Sequence, residues 1–584
     1  MQLRKQVGAL AVAGGVVLAV GLPVSAGQAA AFDPPAASWR TVVNNTDTMP
    51  GGAAAAKFNS YNQPSVNRAG LVVIRARAKG GTGVPPPHGI YVRDMSGTGP
   101  IERVVDRTVP VPAPNNRGST FIEYPSFPRI DPESGTYAFR GNSPPVWSFG
   151  DEGGETAGTT GVFANVDGTL VTGASKLGAV PEFPFYGVPG LPGGAFEVFP
   201  GAPSPTGSRI VFKGNFTDGA AARTGVFFRA LTTAPFGGTS PVKAIATTGT
   251  TFIPGAQVKF GSLAPPSAAL GWAAFAGFDD EAEPSLGGIY VAPLAPTTTL
   301  TPVVQIGSPV PSRDRMNGTH RFNDLSEAVS FDGRFVAFWG AWGADARSVV
   351  VTCPSEGNEA RRELCREQNG GNPEYEFEVP AQQGVFVHDL ETASTHLVAE
   401  TGEEFVDFIS WNFSGKVPGS PDGDDGEPAR WRSSTFVASG GGARDGFRVA
   451  FKARTPQGAT GVYFVAGSQA GIESRVTLID TTLAGQRVDP TATPDSLVEE
   501  VGLERDAFRG EWLVVNAKLG APEASEEAGT EASEEAGTAG VYATRLPLPE
   551  EPPMLPPANE PATPGRAALA ALRPATGGGS CAAA

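Results

Sequence analysis

The chain has 584 residues, enough for several domains, but 76 glycines and 54 prolines leave little room for long helices. Aromatic residues make up 9% of it, enough to fill a core, so general disorder is set aside. A net charge of −16 repels phosphate backbones and sets nucleic acid aside as a partner.

In chain order, Arg4 and Lys5 precede an apolar run of small residues from Ala9 to Leu22. Val24-Ser25-Ala26 and Ala29-Ala30-Ala31 both suit signal cleavage, so residues 1–31 read as an export signal. No later apolar run approaches the ~18 residues of a membrane span. The mature chain is therefore expected in the periplasm or outside the cell. Residues 32–38 read as a linker, and Trp39 to Val43 as a strand resembling the end of a repeat unit, as in Pro302 to Ile306.

Beyond that strand the chain is repetitive. A turn glycine and an apolar strand lead, through a variable loop, to Gly-(Val/Ile)-(Tyr/Phe). The first halves are Gly70, Gly135, Gly207, Gly271, Gly333, Gly446 and Gly510, each followed by an apolar strand. The second halves begin at Gly89, Gly161, Gly225, Gly288, Gly384, Gly461 and Gly540. Seven paired occurrences in one order are a strong repeat signal. In the fifth unit, strand A is predicted around Asn323 to Ser330, B at Arg334 to Trp339, C at Gly384 to Leu390 and D at Thr395 to Glu400. Four antiparallel strands per unit, repeated in a ring, is the propeller plan. The seventh unit runs after Ala543 into a proline-rich stretch and lacks a good fourth strand. Trp39 to Val43 is the spare strand, and pairing it there closes the ring. The fold expected is all-β: one seven-bladed β-propeller over residues 39–546, followed by a Pro/Ala/Gly-rich tail at 547–584.

The turn Ser330-Phe331-Asp332-Gly333 with Val336-Ala337-Phe338, and the strands Gly89-Ile90-Tyr91-Val92-Arg93-Asp94 and Val387-His388-Asp389-Leu390, resemble TolB-like propeller repeats. The chain also resembles secreted bacterial proteins built from such repeats. It lacks the separate N-terminal α/β domain of TolB proteins, and the matching residues are structural, so the resemblance implies a fold and transfers no functional residue.

The glycine-to-glycine spacing is longest in unit 5 (51, from 333 to 384), unit 7 (30, from 510 to 540) and unit 2 (26, from 135 to 161). These extensions are B–C loops, and the long segment from Phe405 to Ser434 is a D–A connection. All emerge on one face of a ring of such blades, where function collects on a rigid scaffold. Trp147, Trp342, Trp411 and Trp431, with Asp151 and Glu152, are the candidate ligand-binding residues there, since flat aromatic faces beside carboxylates suit sugar rings. Asp422, Asp424, Asp425 and Glu427 are candidate Ca²⁺ ligands, although the segment lacks a full twelve-residue loop. No other cofactor is expected. Cys353 and Cys365 could close a small disulfide loop in an oxidising compartment, leaving Cys581 over. His88, His320, His388 and His396 are too few and scattered for a zinc site, and no G-x-S-x-G elbow is present. The acidic tandem octapeptide from Glu523 to Thr538 reads as a solvated loop.

The reading is an exported, monomeric, non-catalytic binding propeller for a protein or glycan, more an interaction module than an enzyme. The alternative is a secreted polysaccharide hydrolase or lyase with carboxylates at the channel mouth, drawn from Asp151 or Glu152 and the Asp422 to Glu427 cluster.

Overall fold

The computed structural model describes residues 37–51, 56–79, 86–113, 117–150, 153–233, 238–311, 320–355, 359–415, 417–418, 428–441, 446–520 and 538–546. Seven antiparallel sheets form the blades, each built from strands A to D outward, and two further two-stranded ribbons stand apart from them. Blade 1 has strand A split into Phe58–Tyr61 and Ser65–Val66, then Leu71–Ala78, His88–Asp94 and Glu102–Asp106. Blade 7 has Leu497–Gly502 and Phe508–Arg509 as strand A, then Trp512–Gly520 and Thr538–Arg545, and its outermost strand is Trp39–Asn44.

The Gly-Val-Tyr signature has one physical cause in all seven blades. Strand D carries a β-bulge against the residues after the strand C glycine: Val104, Gly173, Ile245, Val303, Val398, Leu478 and Val42 are each the extra residue. In most blades the bulge drives a strand D carbonyl to where a β-carbon on that glycine would sit. A Cβ at Gly89 would lie 2.2 Å from the Val105 oxygen, and one at Gly288 would lie 2.1 Å from that of Val304. At Gly540 the intruding carbonyl belongs to Val43, 2.5 Å away, so there the N-terminal strand supplies the backbone contact. The aromatic residue that comes next meets a phenylalanine edge-on in blades 1 to 6. Tyr91 meets Phe58 at 5.0 Å, Phe386 meets Phe322 at 4.9 Å and Tyr463 meets Phe405 at 4.7 Å.

Tyr542 of blade 7 instead donates its hydroxyl to Asp489 (2.9 Å). The same carboxylate accepts from Asn44 Nδ2 (3.0 Å), Thr41 Oγ1 (3.2 Å) and Thr491 Oγ1 (2.7 Å). Burial works against its charge, but these donors outweigh burial and hold its pKa below the ordinary carboxylate range. Asp489 thus ties the outermost strand to its neighbour. Asp489→Ala is expected to leave the Tyr542 hydroxyl enclosed without an acceptor and the Asn44 amide with Thr491 alone, costing about 2–4 kcal/mol in urea unfolding.

Two details differ from the sequence reading. Gly446 opens strand B of blade 6, and among the described residues of that turn the left-handed glycine is Gly441 (φ +78°). Strand B of blade 5 runs from Phe335 to Thr352 and strand C from Glu374 to Asp389, so the insertion begins as an extension of the blade. The alternation that predicts strand B to Trp339 continues past it, and nothing in the local sequence marks where the blade ends.

Candidate functional site

The ring's axis is filled. Between the two halves of strand A in blade 7, residues 503–507 cross the centre. Asp506 accepts from Ser267 of blade 4 (3.1 Å) and pairs with Arg509, while its carbonyl accepts from Val66 N of blade 1 (3.1 Å). Arg129 of blade 2 donates to Glu504 (2.6 Å) and to the Pro266 carbonyl (2.8 Å). Arg509 reaches the Ser439 carbonyl of blade 6 (2.6 Å) and that of Phe331 in blade 5 (3.0 Å). The side chains of Arg129 and Arg509 are 1% exposed. Burial works against ionisation of Glu504, but Arg129 and Arg505 outweigh it and keep its pKa low. A ligand therefore meets this molecule on one of its faces or at its rim, not within an open central duct.

One face is elaborated. Beyond an irregularity at Trp342, strands B and C of blade 5 continue as an arm, with Ala346 opposite Pro380 through to Thr352 opposite Glu374. At its tip Cys353 and Cys365 are joined (Sγ–Sγ 2.03 Å), pinning the helix Glu359–Glu367. The D–A connection forms the second ribbon, Ile409–Ser414 with Arg430–Thr435. The two insertions meet. Trp411 stacks on Phe377 at 4.2 Å, Trp431 packs on Tyr375 (5.5 Å) and Phe413 (5.6 Å), and Tyr375 donates to the Cys365 carbonyl. Asp407, fully buried at the base, pairs with Arg347 (3.2 Å). Together they form a satellite subdomain with its own apolar centre.

The predicted aromatic residues are thus more enclosed than exposed stacking faces would be. Trp147 is buried in a separate hairpin of blade 2, with Phe183 edge-on at 5.1 Å and the Arg117 guanidinium 3.7 Å above its ring. Trp342 is buried in the propeller core against Phe386. Their apolar area is worth more under a loop or between blades than in water, so neither presents a free ring face. Trp411 and Trp431 remain half-buried. Asp151, Glu152, Asp422, Asp424, Asp425 and Glu427 lie outside the described residues, as do the predicted export signal, most of the acidic tandem repeat and the tail. Among the described residues there is no group of three or more potential metal ligands.

The arm's outer surface is the part that sequence reasoning missed. Glu374, Glu376 and Glu378 alternate with Tyr375, Phe377 and Val379, so the carboxylates share the exposed face while the apolar residues cover the second ribbon. Opposite them stand Thr352, Val350 and Ser348, with Val350 55% exposed. The period-two pattern of 374–379 was the available signal.

Two further features were unmarked in the sequence. On the innermost strand of blade 5, Asp324 is pushed up to about 6 by burial, with the Glu327 carboxylate adding to the shift, while Glu327 itself is exposed. At the outer rim between blades 5 and 6, beside the C–D turn of blade 6, lies a cavity of about 650 Å³.

Histidine burial gives the fold an acid limit. His388 and His88 are each lowered to about 4, chiefly by burial. His388 shares a 2.9 Å hydrogen bond with Thr395. An unfolded imidazole, ordinarily near 6.5, takes up its proton first. The stabilisation is complete above pH 6.5 and is lost as pH falls toward 4. Urea midpoints are expected to fall across that window, and His388→Gln to flatten the slope.

The chain matches no protein-family model and no curated protein sequence. Among solved structures it is similar to the WD40 domain of SCAP from fission yeast, at 8% identity over 87% of this chain and 98% of that one, TM-score 0.31. It is similar to the Bombyx mori GH32 β-fructofuranosidase BmSUC1, at 10% identity over 84% and 91%, TM-score 0.23. It is also similar to the catalytic domain of the Coprinopsis cinerea GH62 α-L-arabinofuranosidase, at 9% identity over 59% and 89%, TM-score 0.21. These matches are not specific to TolB-like proteins. Catalytic hydrolase domains stand among them, and on that finding the expectation that the chain is more an interaction module than an enzyme is corrected; likeness this distant assigns no activity in its place.

Proposed function

We propose that the protein is exported and that its insertion face recognises an uncharged or cationic partner, a glycan or a protein. The observation that carries this is the meeting of two long insertions in one disulfide-pinned satellite. Blades 3 and 4 complete the same fold without such insertions, so the satellite is not needed to build a blade. Its exposed strip of three glutamates and two hydroxyls around Val350 offers acceptors to sugar hydroxyls or lysine ammonium groups. The resemblance to TolB-like repeats suits an envelope or extracellular setting. A glycan array and a pull-down with the mature chain test the reading. Glu376→Lys with Glu378→Lys, both exposed, is expected to weaken capture about tenfold or more without changing the unfolding midpoint. Undiminished capture by that variant would remove the satellite from the site.

A second reading is supported by the Asp324–Glu327 pair: a hydrolase or lyase acting on polysaccharide. A carboxyl lifted by burial to about 6, with a second carboxylate close by, is a group that general acid and base catalysis can use. Turnover of a polysaccharide panel, lowered about a hundredfold or more by Asp324→Asn, would establish it. Turnover indifferent to Asp324→Asn and Glu327→Gln would dismiss this pair.

A further inference from the structure

We infer that the rim cavity between blades 5 and 6 binds a neutral sugar ring, a mono- or disaccharide unit. The cavity, about 650 Å³, falls within the roughly 300–1,000 Å³ of small-molecule sites. The C–D turn of blade 6 borders it, and Pro311 of the connection between blades 4 and 5 also lines it.

Its lining supplies one apolar side and a set of neutral hydrogen-bonding groups. The half-buried His396, Leu397 and Ile472 form the apolar side, with the His396 ring packed on the buried Phe447 (5.4 Å, inclined at 31°). Such a surface suits the C–H face of a pyranose or furanose. His396 shares one ring nitrogen, Nε2, with Ser394 (3.0 Å), leaving Nδ1 without a partner among the described residues. Gln469, exposed on the C–D turn, adds an amide that can donate and accept. Arg475 completes the wall.

Charge decides the ligand class. Arg475 is already paired with Glu404 and also reaches the Val398 carbonyl (3.4 Å), so its charge is met within the protein. Burial holds His396 below its ordinary range, so the imidazole is neutral at neutral pH. An anionic ligand would have to displace Glu404 and a cation would face Arg475. A hydrocarbon would leave the imidazole, amide and guanidinium groups unmet. A polyhydroxylated neutral ring satisfies both sides.

Saturation-transfer NMR on the full mature chain, with D-glucose, D-galactose, D-xylose and L-arabinose as separate probes, tests this. At least one sugar is expected to bind with a dissociation constant of about 1 mM. Ala470→Trp, placed on the exposed turn to fill the cavity without entering the core, should abolish the signal. Gln469→Ala should weaken it about fivefold. The satellite variant Glu376→Lys should leave it unchanged, which separates this site from the insertion face. No signal from any of the four at about tenfold that concentration, or equal binding by Ala470→Trp, would overturn the proposal.

Discussion

Removing Trp39–Asn44 is expected to abolish most of the global stability of the propeller. The segment buries Trp39 (5% exposed), Val42 and Val43 (both 0%) in the core shared by blades 6, 7 and 1. At about 1.5–3 kcal/mol for each large apolar side chain, that loss is roughly 4.5–9 kcal/mol. A whole domain's margin is only about 5–15 kcal/mol. The truncated chain also exposes Thr538–Arg545 as an unpaired edge with a run of buried residues, a template for association. A chain beginning at Asn45 should therefore unfold at much lower urea and aggregate on refolding. A peptide spanning residues 37–46 added in trans should recover part of the transition. Gly540→Ala gives a sharper form of the test. Its new methyl group meets the Val43 carbonyl, Asn44 and the Tyr542 hydroxyl in the intact chain, so the substitution should destabilise that chain and cost less once the strand is gone and the Tyr542 side chain alone must shift. A double-mutant cycle measures the difference.

Arg129→Ala is expected to cost about 3 kcal/mol, because the enclosed carboxylates of Glu504 and Asp506 lose one of their cations and keep only Arg505 and Arg509. Removing the partner carboxylate as well, in Arg129→Met with Glu504→Met, should recover much of that loss, since a buried pair contributes little against apolar residues of similar size. The pH dependence carries the same logic. In the native protein the Glu504 carboxyl is held low, chiefly against burial by Arg129. Without Arg129, only Arg505 and the Asp506 amide oppose burial, and its pKa rises. The single variant's deficit should then shrink as pH is lowered, because the carboxyl takes a proton and sheds its uncompensated charge.

What could be read in the sequence was local or repeated. Gly540-Val541-Tyr542 marks a bulge opposite strand C, and the same three-residue constraint recurs in each blade, so counting units and strands leads to the ring and to Trp39–Asn44 as its latch. The axis could not be read in this way. Arg129 and Glu504 are 375 residues apart, and each taken alone is an ordinary charged residue near a turn. The insertion face was legible in its location and less so in its detail. Loop lengths place the unit 5 and D–A insertions together, but which face of Trp411 and Trp431 is covered depends on a second ribbon arriving from elsewhere in the chain. Trp342 belongs to blade 5 itself, where its neighbour Phe386 claims it. The alternation from Glu374 to Val379 was present all along, hidden because a helix and a disulfide loop separate it from its partner strand.

Hydrogen exchange read by mass spectrometry, on the full chain under native conditions, tests the closed ring most directly. Amides of Trp39–Asn44 should exchange as slowly as those of Thr538–Arg545 and open together with them, at the free energy of global unfolding. Exchange of Trp39–Asn44 within seconds, while the inner strands of blade 7 stay protected, would show that the N-terminal strand does not close the propeller.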